Sequence, residues 1–118
     1  MNISKSKIEN ACASVGWGVT FHDYEGDKVV EFSNYTPFGQ DITFELNYNL
    51  LKDIPRLVKV HYENFDPSQE TYYWIGEDGH GKNGAPDTMG EVYDDMVKAE
   101  DMIGDLSNAL DRAFKLAI

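Results

Sequence analysis

The chain is poor in the residues that most often announce chemistry. It has one cysteine, Cys12. That rules out an internal disulfide framework and any cysteine-rich zinc site. Basic residues are scarce: Lys and Arg total 10 against 21 Asp and Glu, a formal charge of -11. A surface with that balance repels phosphate, so direct nucleic-acid binding is disfavoured, as is docking on an anionic membrane. No run approaches the ~20 apolar residues of a membrane-spanning helix. The N-terminal stretch MNISKSKIENACASVG carries lysines but no apolar core of a secretory signal, so the expected location is cytoplasmic. Internal repeats, low-complexity tracts and linkers are absent.

What the chain does have is core material. Of its 118 residues, 42% are hydrophobic and 13% aromatic, enough for a single α+β domain over residues 1–118. Ser4 is placed to cap a short helix running to about Ala13, with Gly16 ending it. Trp17, Val19 and Phe21 alternate with small or polar residues, and Val30 and Phe32 do so after a turn near Glu25-Gly26-Asp27. That period predicts a β-hairpin. Pro37 and Gly39 punctuate the next segment, and Ile42, Phe44, Leu46 and Tyr48 share one face of a third strand.

Asp53 and Pro55 then predict the start of a helix with an apolar stripe of Leu57, Val58, His61, Tyr62 and Phe65, closed by Asp66-Pro67. TYYWI reads as a fourth strand. Thr88 and Glu91 form a capping box. Met89, Val92, Met96, Ala99, Ile103, Leu106, Leu110, Ala113 and Ala117 follow in a heptad pattern. A helix of that length either breaks near Gly104, packs across the sheet, or offers its end to a second copy. The expected order is therefore α-β-β-β-α-β-α: an antiparallel sheet of about four strands with a long C-terminal helix packed on one face.

One segment imitates a known motif. Gly76 to Asn83 reads G-x-x-x-x-G-K-N, close to a phosphate-binding P-loop. That loop needs a Ser or Thr after its lysine and a helix starting there. Here Asn83 takes the hydroxyl position, Gly84-Ala85-Pro86 prevents an immediate helix, and Glu77 and Asp78 add negative charge. A strand-to-helix connection or a recognition loop explains the segment better. Asp78, His80, Lys82 and Asn83, with His22 nearby, are its candidate ligands for a small molecule or metal.

Other chemistry is thin. His22, His61 and His80 show no H-x-x-x-H spacing, no serine lies in G-x-S-x-G, and Cys12 has no nucleophile signature. His61 reads as a partly buried packing residue. No catalytic set, cofactor motif or metal-ligand set is legible, so a non-enzymatic role is expected. The acidic surface is more informative. Glu91, Asp94, Asp95 and Asp101, with further carboxylates along the last helix and the hairpin, can present charge at regular spacing on a rigid element. Such a surface suits a partner with a basic face. Tyr35, Tyr72 and Tyr73 are candidate aromatic anchors.

Two stretches, VVEFSNYTPFGQDITFEL and YYWIGEDGHGKNGAPDTMGEVYDDM, resemble a group of small acidic proteins of gut bacteria carried on phages and conjugative elements. The resemblance spans most of residues 29–96 and brings no established activity and no site residues. It implies an accessory or anti-defence role, by analogy with small acidic inhibitors of restriction and CRISPR effectors. The reading that results is an acidic protein-binding module that inhibits a basic nucleic-acid-handling protein by mimicking nucleic acid. The alternatives are a ligand or metal site on residues 76–88, and a homodimeric scaffold joined through the C-terminal helix.

Overall fold

The computed structural model of the protein describes residues 3–74 and 88–116, with the backbone alone at position 116. Helix α1 spans Lys5–Ser14, and the Ser4 hydroxyl accepts the Lys7 N–H at 3.3 Å as its N-cap. Its end is a Schellman motif. Gly16 sits at φ 80°, its N–H donates to the Ala13 carbonyl at 3.1 Å, and the Trp17 N–H donates to the Cys12 carbonyl at 2.9 Å.

Strands β1 (Gly18–Tyr24), β2 (Asp27–Ser33) and β3 (Phe44–Asn47) form an antiparallel meander in that order. The β1–β2 turn consists of Glu25 and Gly26, both with positive φ (58° and 97°). That pair of dihedrals matches the right-handed twist of the flanking strands. The register places Val19, Phe32 and Phe44 in one row and Phe21, Val30 and Leu46 in the next. These residues form the inner face of the sheet and join one core with Ile8, Cys12, Trp17, Met96, Ile103 and Leu106. The outer face carries Thr20, His22, Glu31 and Glu45, as period-2 alternation requires.

A 3₁₀ turn, Leu51–Asp53, runs directly into α2 (Ile54–Asn64), with Pro55 in its first turn. Asp53 is not the side-chain cap that its position suggested: its backbone is already helical and its carboxylate makes no capping bond. A larger correction concerns TYYWI. Residues 71–74 are helical, part of α3 (Pro67–Trp74), so the sheet has three strands among the described residues and not four. Asp66 is responsible. Its Oδ1 accepts the Ser68 N–H at 2.9 Å, while Pro67 supplies the preset φ of a first helical residue. The observed order is α-β-β-β-α-α-α.

Helix α4 runs unbroken over Met89–Leu116 and packs on α1, α2 and α3. Its heptad seam is consumed inside the chain: Val92, Met96, Ala99, Ile103, Leu106 and Leu110 are all buried, whereas Met89 is exposed. Ala117 lies outside the described residues. Gly104 does not break the helix. It makes room for Tyr62 of α2, because a Cβ there would lie 3.0 Å from the Tyr62 ring. The Trp17 indole N–H donates to the Met102 carbonyl at 3.0 Å and ties the start of the sheet to the middle of α4.

Candidate functional site

The outward face of α4 is the expected acidic surface. Glu91, Asp94, Asp101 and Asp105 are exposed, with Lys98 between them. From Glu91 to Asp105 the helix rises ~21 Å. Glu91 also takes part in the N-terminal cap: its N–H donates to the Thr88 hydroxyl at 3.2 Å, and that hydroxyl lies 3.0 Å from the Glu91 carboxylate.

Asp95 does not belong to that surface. It is 1% exposed, on the inward side of α4. The Thr36 hydroxyl donates to Asp95 Oδ2 at 2.5 Å, and the Phe38 N–H donates to Oδ1 at 3.3 Å. The Gln40 N–H in turn donates to Thr36 Oγ1 at 3.0 Å. Backbone bonds close the same turn, from the Thr36 N–H to the Gln40 carbonyl at 2.9 Å and from the Gly39 N–H to the Thr36 carbonyl at 2.8 Å. Gly39 adopts φ 85°, a conformation that side chains disfavour. The buried carboxylate therefore pins segment 34–41 to α4. Pinned in this way, the turn holds Tyr35 (63% exposed) and Phe38 (44%) in solvent. Tyr72, Tyr73 and Tyr93 are exposed as well. Sequence reading missed both Phe38 and the role of Asp95. The T-P-F-G-Q punctuation signalled a turn but could not show what held it.

Asp78, His80, Lys82 and Asn83 lie outside the described residues. His22 does not stand alone, however. Its Nε2 lies 3.2 Å from Glu31 Oε1, and its ring stacks on Tyr24 with centroids 5.3 Å apart. Glu45 completes a group in which one potential ligand atom from each residue lies within 4.8 Å of the others. These are the described residues that could hold a metal ion.

Among the described residues, Cys12 and His61 are used for packing. Burial pushes the Cys12 thiol up to about 12, which suppresses the nucleophilic thiolate. His61 stacks on Phe44 at 3.9 Å, and burial holds its imidazole below the usual value. A concavity of about 520 Å³ lies at the sheet edge over Phe21 and Tyr48, with Lys5, Lys28 and Lys52 on its walls. No described helix is long and apolar enough to cross a membrane.

Comparison with protein-family models, with curated proteins and with solved structures yields no match.

Proposed function

We propose that the protein is a non-enzymatic acidic binding module that docks on the basic surface of another protein. The pinned turn carries this reading. A buried carboxylate and a closed set of hydrogen bonds hold two aromatic side chains in solvent beside an acidic helix. Aromatic groups held rigidly in water lose little conformational entropy on binding, so such a turn makes an efficient anchor. The carboxylates of α4 supply attraction and orientation at the rim. A basic nucleic-acid-handling protein is the partner class that this charge pattern suits, with carboxylates standing in for phosphates and the outcome being inhibition in the service of a mobile element.

The experiment is affinity capture from a lysate of the native host at low and high salt, with the wild type and two variants compared. Capture of a basic partner should fall at high salt, in the double variant Asp94→Lys, Asp101→Lys, and in Phe38→Ala. A partner held equally under all three changes would overturn the reading.

The sheet-edge concavity favours a second reading, a small-molecule role. Three of the chain's 10 basic residues line it above an aromatic floor against one carboxylate, Asp23, and the excess of positive charge suits an apolar anion. A thermal-shift screen of aromatic carboxylates tests it, and stabilisation that survives Lys28→Ala with Lys52→Ala would count against it. A homodimer is the weaker alternative, because the heptad seam expected to form it is already covered within the chain.

A further inference from the structure

We propose that the outer face of the sheet carries a divalent-metal site built from His22, Glu31 and Glu45, with zinc as its best-suited ion. Each strand contributes one ligand. Thr20, Glu31 and Glu45 occupy one cross-strand row, and His22 lies one outward-facing position further along β1. Alternation sends all three ligand side chains to the same face. The positions come from hydrogen-bonded backbone and not from a loop, so their spacing is set by the sheet itself.

The donor atoms are close to what a metal requires. Zinc–nitrogen and zinc–oxygen bonds of about 2.0–2.2 Å put neighbouring ligand atoms roughly 3.4 Å apart in a tetrahedral site. The pair His22 Nε2 and Glu31 Oε1 already stands at 3.2 Å, and all three atoms fall within 4.8 Å. Glu45 is exposed and has room to swing the remaining distance. His22 is held flat against Tyr24, the two rings 12° from parallel, which limits the directions its nitrogen can take.

Charge gives a reason for a cation here. Glu31 and Glu45 are direct cross-strand partners, and like charges in that relation repel. The ion pair seen at the cluster is His22 with Glu31, which exists only while the imidazole is protonated. A dication would neutralise both carboxylates and bind the imidazole in its neutral form. One nitrogen and two carboxylate oxygens favour zinc or a neighbouring first-row ion over calcium or magnesium, which prefer oxygen alone. Three protein ligands on an open face leave a coordination position for water or an external ligand.

Titration calorimetry of the full chain with zinc chloride tests this, with cobalt(II) absorption reporting the geometry. One equivalent should bind with a dissociation constant on the order of 10 µM, and the affinity should drop by roughly tenfold or more in Glu45→Gln and in His22→Gln. Circular dichroism of each variant should match the wild type, because both side chains lie at the solvent face. Absence of saturable binding overturns the site. So does binding that survives both substitutions, or that is lost only in His80→Ala, since either result places zinc elsewhere.

Discussion

Each face of the sheet carries a histidine laid flat on an aromatic ring, and the two have little else in common. On the inner face His61 of α2 covers Phe44, with centroids 3.9 Å apart and planes 10° from parallel. On the outer face His22 covers Tyr24, at 5.3 Å and 12°. The inner ring lies against the apolar core, where burial disfavours its charged form. The outer ring faces two carboxylates and water. The same stacking geometry thus serves packing on one side and ligand chemistry on the other. What differs is the company that the β-alternation assigns to each face.

The largest test of that contrast lies on the β1–β2 hairpin. Phe32→Ala, on the inner face, should cost about 3–5 kcal/mol of unfolding free energy, whereas Thr20→Ala on the outer face should change it by less than about 0.5 kcal/mol. Urea denaturation measures both, and comparable losses would break the distinction between faces.

Adjacent aspartates on α4 sharpen the same point. Asp95→Ala strips the Thr36 hydroxyl and the Phe38 N–H of their buried acceptor and should cost about 2–3 kcal/mol. Asp94→Ala should cost no more than about 0.5 kcal/mol while weakening partner capture. Equal stability of the two variants would mean that the turn is held by its backbone bonds alone.

A smaller effect probes the inner histidine by pH. The folded-state pKa of His61 lies below its ordinary 6.5, so in the window between the two values the unfolded chain binds more protons than the folded one. The stability from its neutral stacked ring is complete above about pH 6.5 and is lost as pH falls through the lowered value. Urea midpoints at pH 7 and pH 5 should therefore converge in His61→Phe relative to wild type. Retention of the full wild-type slope in that variant would assign the acid sensitivity to other groups.

Much of this architecture was legible locally. Ser4 and Gly16 delimit α1, Thr88 and Glu91 start α4, and alternation from Trp17 to Tyr48 marks the meander, because caps and strand period act within a few residues. The same kind of signal was present, and overlooked, at Asp66-Pro67-Ser68-Gln69, which has the N-cap, the first-position proline and the amide side chain of a helix start. The β-forming aromatics of TYYWI masked it. In α3 those residues gain a capped start, and packing on α4 overrides a weak strand preference.

By itself, then, the sequence determined the acidic charge, the hairpin, the third strand and the start and apolar seam of the last helix, since each depends on composition or on neighbours a few positions apart. Only the tertiary structure decided that Asp95 turns inward while Asp94 faces out, that Gly104 receives Tyr62, and that His22, Glu31 and Glu45 meet. Those outcomes depend on strand register and on the rotation of a helix against its neighbours. Both are set by contacts between residues far apart in the chain, which no local pattern encodes.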